Sequence, residues 1–125
     1  MIVDTNALSA IINGDPLIEA ALRSAVQAAI PAIAVGEYKF GVIQSKRRGD
    51  LERWFQESLW LYTVLDVDRE TANAYAEVRL ELKHAGTPIP VNDLWIAALA
   101  RQHRLPILSR DQHFDKVKGV RRVSW

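Results

Sequence analysis

The chain has 125 residues, 49% of them hydrophobic, which suffices for one domain, residues 1–125, with a real core and no covalent staples. It contains no cysteine, which excludes disulfides, thiolate zinc sites and cysteine nucleophiles. The formal net charge is only +1, yet residues 101–125 carry seven Lys+Arg against two Asp+Glu, so a basic C-terminal fifth follows a net acidic remainder and suits a polyanionic partner.

Residues 1–4 read as a short apolar strand ending in Asp4-Thr5-Asn6, a turn-forming triplet. Residues 7–13 follow as a short helix stopped by Asn13-Gly14. Asp15 and Pro16 open a second helix that runs to about Val26, with Asp as N-cap and Pro in the first turn. Residues 28–33, interrupted by Pro31, suit a short strand leading into a helix over 35–45. On that helix Glu37 and Gly41 share a face, and glycine leaves space beside the carboxylate. Lys46, Arg47 and Arg48 then place positive charge at the helix C-terminus, where the dipole favours it.

Leu51, Trp54, Phe55 and Leu59 recur at the spacing of an amphipathic helix. Residues 62–67 alternate as a strand. Asp68 caps a helix over 69–85 that Gly86 terminates. Thr87-Pro88-Ile89-Pro90 is a rigid connector to a helix over 92–103, with Asp93, Ile96, Ala97 and Ala100 on one face. Residues 106–109 form a strand, 112–117 a short helical piece and 120–125 a last strand at an edge. Strands alternating with helices imply an α/β fold with a mainly parallel sheet covered on both faces.

Three segments place an acid where strand or connector gives way to turn or helix: Met1-Ile-Val-Asp4-Thr-Asn6, Val91-Asn-Asp93-Leu-Trp-Ile96 and Pro106-Ile-Leu-Ser-Arg-Asp111. A fourth, Glu37, lies early in a helix among Ala34, Val35, Gly36, Phe40 and Gly41. In an open α/β sheet the ligand site lies outside the carboxyl ends of the strands, where such acids can converge. Crowded carboxylates repel, and a hard cation such as Mg²⁺ or Mn²⁺ relieves the repulsion and takes oxygen ligands. Each acid also has a structural explanation: Asp4 as a turn residue, Asp93 and Asp111 as helix-start residues, Glu37 as a solvated helical acid. Asp115, four residues after Asp111, is a candidate fifth member, although it reads better as a solvated surface acid near Lys116 and Lys118. His84, His103 and His113 show no paired ligand spacing, which argues against zinc. No phosphate-binding glycine loop and no Gly-x-Ser-x-Gly elbow occurs. Trp54, Trp60 and Trp95 suit a core or a dimer interface better than a base-stacking platform.

The same residues carry a resemblance. Met1-Ile-Val-Asp4-Thr-Asn6-Ala-Leu8 resembles the opening of the PIN domain, in particular of VapC-type toxins. Ile33-Ala-Val-Gly-Glu37-Tyr-Lys-Phe-Gly41-Val, Val91-Asn-Asp93-Leu-Trp-Ile and Leu108-Ser-Arg-Asp111-Gln-His-Phe114-Asp-Lys-Val-Lys-Gly119-Val resemble the family's later blocks, in family order over essentially the whole chain. The resemblance implies a three-layer α/β/α sandwich and a Mg²⁺- or Mn²⁺-dependent endoribonuclease, the toxin of a toxin–antitoxin pair. The acidic quartet would be Asp4, Glu37, Asp93 and Asp111, with Asp4 and Asp93 nearest the main ion. Thr5 and Asn6 would support the first acid, and Ser109 would stand where the family usually has Thr. It further implies an RNA substrate, a cognate VapB-type antitoxin and a homodimer. Lys46, Arg47, Arg48, Arg110 and Lys116 are candidates to hold RNA backbone.

No basic region followed by an apolar run and cleavage site opens the sequence, and no apolar run approaches the roughly 20 residues that span a bilayer. A cytoplasmic protein without membrane association is expected. Two other readings stay open. One is a phosphate enzyme using Asp4 as nucleophile, against which Asn6 stands where a second Asp is expected. The other is a non-catalytic RNA-binding or scaffolding module.

Overall fold

The computed structural model describes residues 1–125. Five short strands form one sheet: β1 (Ile2–Val3), β2 (Ala29–Pro31), β3 (Thr63–Leu65), β4 (Ile107–Leu108) and β5 (Arg122–Val123). Their order is β3-β2-β1-β4-β5, and every neighbouring pair is parallel. The helices are α1 (Thr5–Ile12), α2 (Pro16–Arg23), α3 (Ala32–Ile43), α4 (Arg48–Ser58), α5 (Arg69–His84) and α6 (Val91–His103). Short 3-10 turns cover Leu59–Leu61 and Gln112–Lys116.

Consecutive strand residues point to opposite faces, and this alternation builds two cores. Ile2 of β1 and Ile107 of β4 pack with Val78 and Leu82 of α5, with Ile96, Leu99 and Ala100 of α6, and with Phe114. Val3, Leu108 and Ile30 pack on the other face with Ala7 and Leu8 of α1, Ile18 of α2 and Ala34 of α3. Val42, Leu51 and Phe55 extend that layer where α3 meets α4. The result is the expected three-layer α/β/α sandwich.

The strand order decides where a site can form. The chain steps from β1 to β2 to β3 in one direction, then returns to β4 and β5 on the other side of β1. Right-handed crossovers therefore send the helices before β3 to one face and those after it to the other. The reversal falls between β1 and β4, and the crevice outside their carboxyl ends is the usual ligand position in open α/β sheets.

Several boundaries differ from the sequence reading. Helix α1 starts at Thr5, because Asp4 itself is its N-cap and accepts a hydrogen bond from Ala7 N at 2.7 Å. Helix α2 ends at Arg23, three residues before Val26. Lys46, Arg47 and Arg48 do not complete a helix C-terminus: α3 stops at Ile43, and Arg48 begins α4, where it pairs with Glu52 at 2.7 Å. The assignments of Asp15 and Asp68 as caps hold, the latter in a capping box with Thr71. Strand β5 lies at the sheet edge, as expected.

Candidate active site

Asp4 leaves the end of central strand β1 and is only 3% exposed. Both of its oxygens are engaged: Oδ1 accepts from Ala7 N, and Oδ2 accepts from the Ser109 hydroxyl at the end of neighbouring β4. Ser109 is fully buried and fixed by its own N–H to Val123 O at 2.9 Å. Its Oγ also accepts from Asp111 N at 2.9 Å, so one hydroxyl links the first acid to the fourth. A serine in place of threonine keeps that link.

Asp111 caps the 3-10 turn that follows β4, its Oδ1 accepting from His113 N at 2.9 Å. The turn is anchored by fully buried Phe114. Asp93 stands in the first turn of α6, a helix buried from Leu94 through Ala100 apart from Trp95. That burial gives the carboxylate a rigid base. Glu37 lies in the second turn of α3 and accepts from Thr5 Oγ1 at 2.9 Å. Thr5 thus supports Glu37 from the helix that Asp4 caps.

The electrostatics tie the four acids together. Burial pushes the Asp4 carboxyl above its usual range; the Ser109 and Ala7 hydrogen bonds oppose this, and Asp93 and Asp111 reinforce it. Burial likewise raises Asp93, where the His113 hydrogen bond opposes and the charges of Asp111 and Glu37 reinforce. Carboxylates held above their ordinary range by burial and like charge are a common feature of functional sites. A hard divalent ion relieves both causes at once, so this donor set fits one.

The donor atoms that come within 4.8 Å of one another belong to Asp93, Asp111 and His113. His113 Nδ1 lies 3.1 Å from Asp93 Oδ2 and 3.0 Å from Asp111 Oδ1. Sequence reasoning missed this histidine because it sought two histidines on one helix. The available signal was His113 two residues after Asp111, where an Asx turn folds the ring back over the acid.

The remaining candidates stand further out. Asp115 forms a two-pronged pair with Arg122 at 2.8 and 2.9 Å, and Arg122 also donates to Ser109 O at 3.1 Å. Asp115 therefore braces the β4–β5 edge; its charge is spent on arginine. Asn6 is exposed in the first turn of α1. Arg110 lies 4.4 Å over the Trp125 ring and 3.6 Å from Asp15. Lys116 ends the turn that carries His113. Lys46, Arg47 and Arg48 lie beyond the far end of α3, roughly 10 Å or more along the axis from Glu37. A Cβ at Gly41 meets nothing within 4 Å, so packing does not require glycine there.

Fold and site together define an α/β/α domain with an acidic centre at the switch point of a parallel sheet. The sequence matches the PIN domain over residues 1–120. The chain is 30% identical to Ribonuclease VapC5 of Mycobacterium tuberculosis, an alignment covering 98% of this chain and 90% of that protein. Among solved structures it resembles VapBC2 from Rickettsia felis bound to a promoter DNA fragment, with a TM-score of 0.90, 24% identity and coverage of 99% and 97% of the two chains. It also resembles a toxin–antitoxin complex from Klebsiella pneumoniae, with a TM-score of 0.77, 26% identity and coverage of 95% and 93%. The chain belongs to the PIN-domain family, and within it the likeness is to the VapC-type toxins.

Proposed function

We propose that this protein is a metal-dependent endoribonuclease, the toxin of a toxin–antitoxin pair, and that it hydrolyses RNA phosphodiester bonds at the Asp4, Glu37, Asp93 and Asp111 centre. The observation that carries the reading is the approach of Asp93 and Asp111, with His113, to within 4.8 Å of one another, with Asp4 and Glu37 near enough to act on this cluster by charge. The likeness to a protein named ribonuclease supports the reaction class.

Asp93 and Asp111 would hold a Mg²⁺ or Mn²⁺ ion most directly, with Asp4 behind them and Glu37 beside Asp93. When bound, the ion supplies charge neutralisation at the phosphate and lowers the pKa of an attacking water. The chain's own part is positional. Ser109 and Ala7 N–H fix Asp4, and Asp111 is fixed by its cap and by the Ser109 hydroxyl. Thr5 orients Glu37, which is only half-buried and stands where a carboxylate can orient or deprotonate water. Attack by water, not by the ribose hydroxyl, leaves 5′-phosphate and 3′-hydroxyl ends. Arg110 and Lys116 flank Asp111 in sequence and supply positive charge for the RNA backbone.

A VapB-type antitoxin is the expected protein partner, on the likeness to a toxin–antitoxin complex. A homodimer accords with the apolar residues Leu17, Phe40, Ile43, Trp60 and Leu61, all more than half exposed. No helix is long and apolar enough to cross a membrane.

The test is cleavage of RNA by the purified protein with and without divalent ion, followed by end-group analysis. Metal-dependent fragments with 5′-phosphates support the proposal. RNA binding that survives EDTA, with no cleavage in any ion, would favour a binding module instead.

A further inference from the structure

We propose that His113 supplies a nitrogen ligand, through Nδ1, to the divalent ion of this site, and thereby tilts the site toward Mn²⁺ over Mg²⁺. The inference rests on the carboxylate metal-site reading above and extends it to a residue outside the acidic quartet.

Nδ1 faces Asp93 Oδ2 at 3.1 Å and Asp111 Oδ1 at 3.0 Å. In an octahedral site with donors about 2.1 Å from the ion, neighbouring donors lie about 3.0 Å apart. Nδ1 is thus spaced from each carboxylate oxygen as a neighbouring corner of one coordination shell, and the donors of the three residues all lie within 4.8 Å of one another. The ring is also held in place. Its backbone N–H is bound by Asp111 Oδ1, and the next residue, Phe114, is locked in the core. The side chain is 39% exposed, so an ion can reach it from solvent.

The chemistry then sets the preference. Mg²⁺ takes oxygen ligands almost exclusively, whereas imidazole nitrogen suits first-row transition ions. Ligation through Nδ1 needs the neutral ring with its proton on Nε2. One nitrogen added to an oxygen shell leaves Mg²⁺ binding nearly unchanged and strengthens Mn²⁺. The competing role for His113 is positional: a hydrogen bond that orients Asp93 and serves every ion alike.

Titration calorimetry with Mn²⁺ and with Mg²⁺, on wild-type protein, His113→Ala, His113→Gln and Asp93→Asn, separates these roles. Glutamine can still donate to Asp93 but supplies no imidazole nitrogen. Both His113 variants are expected to lose roughly 10- to 100-fold in Mn²⁺ affinity, with less than about threefold change for Mg²⁺. Pulsed electron paramagnetic resonance of the Mn²⁺-loaded wild type should show a ¹⁴N coupling that both variants lack. Equal losses for the two ions, rescue by glutamine, or no ¹⁴N coupling in the wild type would overturn the proposal and leave His113 a positioning residue. Undiminished Mn²⁺ binding by Asp93→Asn would instead overturn the underlying carboxylate site.

Discussion

Asp93 has two opposed roles, and one substitution exposes both. Burial and the charges of Asp111 and Glu37 raise its carboxyl pKa, so its ionised form strains the metal-free fold. Asp93→Asn removes that strain. It should raise the thermal midpoint in EDTA, abolish the midpoint increase caused by Mn²⁺, and cut cleavage by about 10²-fold or more. Scanning fluorimetry beside an activity assay reads all three; a midpoint lowered in EDTA would show that Asp93 is structural. Asp4 is shifted in the same direction. Because the folded pKa values lie above the unfolded ones, the folded state holds more protons in the window between them. Metal-free stability therefore falls as pH rises through that window and is level above it, while saturating Mn²⁺ reverses the trend. A midpoint that rises with pH in EDTA would contradict the assignment of these two groups. The four acids were legible in sequence because each follows a short apolar strand, a connector or a helix start. His113 was not, because its nearness to Asp111 in sequence gives no hint of its second partner, Asp93, which lies 20 residues away and is brought to it by the fold.

Among the elements, α6 carries most of the site's rigidity, and its tie to α5 can be tested. The Thr71 hydroxyl donates to Gln102 on α6 and accepts from Asp68 N, within a fully buried side chain. Thr71→Val keeps the shape and strands these polar partners, at a cost of about 1–3 kcal/mol measurable by urea unfolding. A neutral result would mean that water replaces the hydroxyl. In α3, Gly41→Ala should stabilise by about 1 kcal/mol, because the added methyl enters open space on an exposed helix face. Unchanged cleavage would remove any role for glycine beside Glu37; lost cleavage with gained stability would mean that substrate passes close to that backbone. Every strand and helix was legible from periodicity and caps, and the boundaries were less so. Lys46-Arg47-Arg48 suits a helix C-terminus by the dipole rule. The 2.7 Å Arg48–Glu52 pair instead makes Arg48 the start of the next helix, a competition between two weak effects that composition does not settle.

For the whole molecule, the charge asymmetry and the sheet topology point the same way. The basic C-terminal fifth includes Arg110, next to Asp111 in sequence, and Lys116, at the end of the turn that Asp111 caps, whereas Lys46–Arg48 lie beyond the far end of α3. RNA binding should weaken with salt, and removing Arg110 or Lys116 should each lower the slope of log affinity against log salt by about 1. The triple alanine variant at 46–48 should change it less, by filter binding; the reverse order would place the RNA track along α3. The doubly wound order puts β1 and β4 at the switch point, which is why residues as distant as Asp4 and Ser109 share a hydrogen bond. The most direct test of the proposed ribonuclease activity is cleavage of total cellular RNA by purified, antitoxin-free protein with Mg²⁺, with Mn²⁺ and with EDTA, beside Asp93→Asn. Discrete metal-dependent fragments that vanish in EDTA and in the variant are expected. Intact RNA in every ion from folded protein, or cleavage that persists in Asp93→Asn, would contradict the proposal.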